Sequence, residues 1–152
     1  MKPPIEFIVY GEPKAQARPR AFARKVGGKF FARVYDAGTA EHWKSEIATC
    51  ARPFIPEKLL TGPVRVDLEF FFARPKSHYR AGKHSNELRK DAPCWHTTKP
   101  DKENAEKAVL DALTRLGFWK DDAQVCDGRV TKRYAAGIPS CKISIKELVD
   151  EL

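Results

Sequence analysis

Ala105, Ala108, Val109, Ala112, Leu113 and Leu116 recur at i, i+3, i+4, i+7, i+8 and i+11, and Gly117 follows the last of them. That spacing draws one apolar stripe along a helix and leaves the glycine to end it. A stripe on one side needs a surface to cover it, and β-rich runs supply candidates on both sides. Ile5–Tyr10 is closed by Gly11 and Pro13. Pro63–Phe72 alternates apolar and charged residues before ending in a run of Phe, and Gln124–Cys126, Arg129–Tyr134 and Cys141–Ile145 read as further extended pieces. Thr39 to Ala51 reads as a second, shorter helix with Thr39 as N-cap, Glu41 in its first turn, and Trp43, Ile47 and Ala48 on the inner side; Pro53 stops it. Trp43 is assigned to the core.

The chain's 152 residues suit one domain over 1–152, and a hydrophobic fraction of 42% can fill its core. We find no repeat, low-complexity segment or interdomain linker. The apolar run Ile5–Tyr10 is too short for a signal peptide and no stretch approaches membrane-spanning length, so the expected location is the cytoplasm. Cys50, Cys94, Cys126 and Cys141 form no C-x-x-C pair and are expected as free thiols. His78, His84, Cys94 and His96 are irregularly spaced for zinc and read as surface-loop residues.

The formal charge of +8 is unevenly spread. After the first strand, Lys14, Arg18, Arg20, Arg24, Lys25, Lys29 and Arg33 are interleaved with Phe22, Phe30, Phe31 and Tyr35, and Gly27-Gly28 reads as a hairpin turn. Basic residues mixed with aromatics fit phosphate contacts and stacking on unpaired bases; a solvated hairpin with core Phe residues fits equally. Ala73 to Thr98 is the least ordered stretch by sequence, rich in positive charge from Arg74, Lys76, Arg80, Lys83, Arg89 and Lys90. It reads either as a segment closing on a nucleic acid backbone or as a mobile solvated insertion.

In this basic chain the carboxylates Asp101, Glu103, Glu106, Asp111, Asp121, Asp122 and Asp127 gather in one stretch. Glu103, Lys107, Asp111 and Thr114 lie opposite the apolar stripe, facing a site or solvent. Individually, Asp101 reads as an N-cap, Glu103 as a first-turn carboxylate and Asp121-Asp122 as a turn, worth about 0.5 to 1 kcal/mol each where they cap. Together they point to a hard divalent cation beside a polyanion, provided the strand after the helix returns Asp122 to the helix start.

Three stretches resemble the RusA-type Holliday junction resolvases. They are Gly11-Glu12-Pro13 with Lys14 and Arg18-Pro19-Arg20, Lys99-Pro100-Asp101-Lys102-Glu103-Asn104 with Lys107 and Asp111-Ala112-Leu113, and Asp121-Asp122-x-Gln124-Val125 with the basic strand through Lys132. The resemblance runs from Ile5 to Ile145. It implies an α+β fold, a small mixed β-sheet packed against helices, assembled as a homodimer. It implies a Mg2+-dependent endodeoxyribonuclease, with Mn2+ as an alternative ion, that resolves four-way junctions by paired nicks in recombination and repair. Asp101, Glu103, Asp121 and Asp122 are the implied metal ligands, and Asp101, Glu103, Lys107 and Asp122 the implied catalytic set. Lys14, Arg18, Arg20, Arg24, Lys76, Lys99 and Lys102 are the expected DNA contacts. Where the family usually has Asp, this chain has Glu103. A non-catalytic binder of branched DNA and a metal nuclease cutting flaps or forks are the rival readings.

Overall fold

The computed structural model describes residues 2–16, 20–26, 29–35 and 40–150, with the backbone alone for 20–26 and 29–35. Strand β1 (Ile5–Tyr10) is followed by an antiparallel ribbon of β2 (Arg20–Val26) and β3 (Lys29–Tyr35), then by helix α1 (Glu41–Ala51) and the long strand β4 (Val64–Phe72). Helix α2 (Lys102–Leu116) leads to β5 (Val125–Asp127), β6 (Val130–Tyr134) and β7 (Ser140–Glu147). The main sheet is mixed, as expected: β7 lies between β1 and β4 and pairs antiparallel with both, while β5 and β6 run parallel to β4. The fold is α+β.

Alternation decides which side of the sheet is covered. Along β4, Val64, Val66, Leu68, Phe70 and Phe72 are buried while Arg65, Asp67, Glu69 and Phe71 are half-buried on the other face. Both helices pack on the apolar face. Trp43 and Ile47 of α1 and Ala105, Ala108, Val109, Ala112 and Leu113 of α2 meet Val9, Ile143 and Ile145 there. The predicted stripe of α2 is therefore its buried side, and Gly117 ends it in the left-handed conformation at φ 94°. Phe118 and Trp119 are buried directly after it.

Three details differ from expectation. Helix α1 begins at Glu41 after Ala40, which makes no side-chain cap; Thr39 lies outside the described residues. Pro53 does not stop the helix abruptly but is accommodated in a 3-10 turn, Arg52–Phe54, whose early positions need no amide hydrogen. The Ala73–Thr98 stretch is built, not loose. It carries 3-10 turns at Lys76–His78 and Gly82–His84, and a hairpin-like closure in which Tyr79 faces Leu88, Arg80 N donates to Glu87 O at 2.8 Å and Arg89 N donates to His78 O at 2.9 Å. Within β5 the pairing with β4 shifts by one residue at Cys126, because Val64 faces Val125 and Arg65 faces Asp127. Gly128, between β5 and β6, has a φ of 139° and lies against the Val66 carbonyl, which leaves no room for a side chain.

Candidate functional site

Asp101 caps α2: its Oδ1 accepts a hydrogen bond from Asn104 N at 2.9 Å. Glu103 in the first turn and Lys107 one turn later share the exposed side. The segment after β1 is tied to the same end, because Gln16 N donates to Asn104 O at 3.1 Å, so exposed Lys14 starts the basic arm beside the helix start. Lys132 of β6 also reaches this end. Its Nζ donates to Thr98 O at 2.8 Å; burial lowers its pKa, and the negative charge of Asp101 opposes that shift. On Glu106, burial raises the carboxyl pKa, Lys102 lowers it and Glu103 raises it further.

His96 sits next to Lys132 and is buried, at 8% exposure, which corrects its reading as a surface-loop residue. Its ring stacks on Phe72 with centroids 3.9 Å apart and meets Tyr134 at 5.0 Å. Its Nε2 lies 3.3 Å from Thr98 Oγ1, and its Nδ1 has no partner among the described residues. Burial first, then the charge of Lys132, lowers the imidazole pKa.

Asp121 and Asp122 lie elsewhere. Asp121 caps a 3-10 turn, Asp122–Gln124, in a reciprocal box: Ala123 N donates to its Oδ1 at 2.9 Å, and its own N–H donates to Gln124 Oε1 at 3.1 Å. Gln124 Nε2 donates to Leu60 O and Gly62 O at 2.8 and 3.0 Å, pinning the turn to the chain just before β4 begins. Lys132, Tyr134 and His96, by contrast, surround Phe70 and Phe72 where β4 ends. Helix α2 connects the two ends with 15 residues, roughly 22 Å at ~1.5 Å per residue. The strand after the helix therefore does not return Asp122 to Asp101 within one chain, and among the described residues no three His, Cys, Asp or Glu gather as a metal cluster.

Two other residues placed opposite the stripe are half-buried and engaged in packing contacts, not facing a site. Asp111 accepts from buried Lys44 of α1 at 2.7 Å and pairs with Arg115 at 3.2 Å. Thr114 donates to Leu110 O and accepts from Trp119 Nε1, each at 2.7 Å. Asp127 pairs with Arg65 at 2.9 Å on the uncovered sheet face. There Arg65, then the Arg129 amide, holds the Asp67 carboxyl below the usual range against the opposing effect of burial. Lys76, Lys99 and Lys102 are exposed. Arg18 lies outside the described residues, and the side chains of Arg20 and Arg24 on β2 do too. Sequence reasoning did not assign Lys132, His96 or Trp95 to any site. The usable signal for Lys132 was alternation along Val130–Tyr134, which puts Lys132 on the helix side and Arg133 on the other.

The helix start thus offers two exposed carboxylates and several ammonium groups, a combination suited to a hard cation and a phosphate. Residues 10–146 match the family described as Endodeoxyribonuclease RusA. The chain belongs to the RusA endodeoxyribonuclease family. It is 39% identical over 144 residues to the uncharacterized protein YqaN of Bacillus subtilis (strain 168), covering 95% of this chain and 96% of that protein. It is 45% identical over 51 residues to the crossover junction endodeoxyribonuclease RusA of Escherichia coli (strain K12), and equally to that of Enterobacteria phage 82. Those matches cover 34% of this chain and 42% of each relative. As a RusA-family member the chain is a nuclease by family. Among the described residues no helix is long and apolar enough to cross a membrane.

Proposed function

We propose that this chain is a Mg2+-dependent endodeoxyribonuclease that resolves four-way (Holliday) junctions by paired symmetric nicks, working in the cytoplasm as a homodimer. The observation that carries the dimer is the separation of the two acidic motifs. Asp101, Glu103 and Lys107 stand at one end of α2 and Asp122 beyond the other, so each chain holds two incomplete halves. A two-fold axis perpendicular to α2 exchanges its ends, bringing the helix start of one copy to the Asp121-Asp122 turn of its partner, twice. Two identical sites then meet a substrate that itself has two-fold character.

The donors are carboxylate oxygens, which fit Mg2+ or Mn2+, and Asp101, Glu103 and the partner copy's Asp121-Asp122 pair would hold it. When bound, the cation polarises the scissile phosphate and lowers the pKa of a water. Lys107, exposed one turn along, neutralises charge building on the phosphate oxygens. Lys132, anchored on Thr98 O, keeps a second positive charge behind Asp101 and holds the approach to the helix. Lys14, Lys76, Lys99 and Lys102, with Arg18, Arg20 and Arg24 of the arm, bind backbone phosphates without reading sequence.

The test is a divalent-metal titration with labelled four-way junction, flap and linear duplex, on the wild type and Asp122→Asn. The variant is expected to bind junction but to cleave it at least ~100-fold more slowly. Cleavage within a few-fold of wild type refutes the assignment of Asp122. Preferential cutting of the flap reassigns the substrate, and binding without metal-dependent cleavage makes the chain a non-catalytic junction binder.

A further inference from the structure

The built segment between β4 and α2 presents one aromatic ring that nothing in the proposed chemistry uses. Cys94–His96 runs antiparallel along the outer edge of β6: Tyr134 N donates to Cys94 O at 2.9 Å, His96 N donates to Lys132 O at 3.1 Å, and Trp95 faces Arg133 between them. Alternation then sorts the side chains. His96 turns inward onto Phe72, while Trp95 emerges on the uncovered face and stays 53% exposed. The Arg133 guanidinium lies over the indole at 4.8 Å from the ring centre and covers one of its faces. Pro93, two residues before Trp95, is fixed by Arg74 Nη1, which donates to its carbonyl at 2.7 Å. An exposed tryptophan on a backbone bonded at both flanks, with one face already occupied by a cation, has its other face available at little ordering cost.

The surrounding charge indicates what would lie on that face. Between Ala73 and Lys102 the chain carries eight Lys or Arg against three carboxylates, Glu87, Asp91 and Asp101. Glu87 and Asp91 are engaged locally, pairing with Arg80 at 2.6 Å and Arg89 at 3.2 Å. Arg133 and Lys132 are consecutive, so the platform lies just around the edge of the sheet from Asp101. We propose that Trp95, backed by Arg133, is a stacking platform for an unpaired nucleobase of the branched DNA, with neighbouring Lys and Arg holding its phosphates. The inference rests on the reading of the chain as a branched-DNA enzyme and gives the Ala73–Thr98 segment a role in it.

Trp43 and Trp119 are each 1% exposed, so indole emission that a soluble quencher can reach comes from Trp95. Without divalent metal, the unaltered protein is titrated with a four-way junction, a duplex carrying a bulge of unpaired thymines, and the fully paired duplex. Emission should fall on adding junction or bulged DNA and change little with paired duplex. Trp95→Leu should abolish the fall and weaken binding to bulged DNA roughly tenfold, with affinity for paired duplex within about twofold, while Trp95→Phe keeps most of the binding. Binding of junction and bulge with unchanged emission, and equal affinity for Trp95→Leu, overturns the stacking role alone. Absence of any DNA binding overturns the functional reading with it. Shielding of Trp95 that grows with protein concentration before DNA is added assigns it to a contact between copies and also overturns the proposal.

Discussion

If each site takes Asp101 from one chain and Asp122 from its partner, two inactive variants should repair one another. Asp101→Asn and Asp122→Asn are each expected to be silent as homodimers, because every site in them lacks a ligand. In a mixed dimer one site receives both substitutions and the other neither. Equal amounts that exchange freely give half mixed dimers, each with one intact site of two, so nicking should recover to about a quarter of wild type against at least ~100-fold loss in each variant alone. The structural basis is the length of α2: a rigid helix of 15 residues, roughly 22 Å, stands between the two motifs, and a side chain of either Asp spans only a small part of that. The assay uses a junction labelled on all four strands, with dimers exchanged by brief denaturation and refolding and with sequencing gels counting nicks. Mixed dimers should leave nicked junctions and few resolved duplexes, since one working site cannot cut both strands in concert. Recovery below about one per cent after verified exchange would refute the shared site and place both ligands in the same chain.

Glu103→Gln should remove activity while Glu103→Asp retains or raises it, with the Mg2+ to Mn2+ preference shifted; equal cleavage by both makes Glu103 a helix-start residue only. Asp111→Ala strands the Lys44 ammonium, 5% exposed, and should cost about 3 kcal/mol, or roughly 6–12 °C in Tm, whereas Lys44→Met leaves half-exposed Asp111 with Arg115 and should cost less than ~1 kcal/mol; equal losses by thermal denaturation contradict the burial argument. Because burial lowers the His96 pKa below its ordinary 6.5, the unfolded chain takes up that proton first on acidification. Stability is then full above pH 6.5 and falls as pH drops through the lowered folded value, and His96→Phe should flatten the fall seen in urea midpoints across that range.

Periodicity carried most of the fold. The stripe from Ala105 to Leu116, the alternation in β4 and the β-runs at both ends are each local patterns, and each became an element within a residue or two of the expected bounds. What local pattern could not supply was partners. Asp111 looks like a surface carboxylate until α1 delivers Lys44 against it, and Thr114 until Trp119 folds back to donate to it. The Ala73–Thr98 stretch has neither helical nor strand periodicity because its order comes from single turns, a short closure and aromatic contacts such as His78 against Tyr134, none of which repeats.

The position of Asp122 was legible in principle, and the physical rule that decides it is simple. Strands β4 and β5 are parallel, and a parallel pair joined through a helix requires that helix to run back against them. Whatever precedes the helix then lies at the strands' far end and whatever follows it at their near end. The Lys99–Asn104 motif opens α2 and the Asp121-Asp122 motif comes after it, so a full helix length separates them in any chain with this connection. The expectation that the strand after the helix returns Asp122 to the helix start overlooked this, because the 21 positions from Asp101 to Asp122 contain one rigid helix, which acts as a spacer and not a turn. The same rule argues for the dimer: Asp122 can join Asp101 only by coming from another copy, and a two-fold axis across α2 is the symmetric way to supply it to both ends at once.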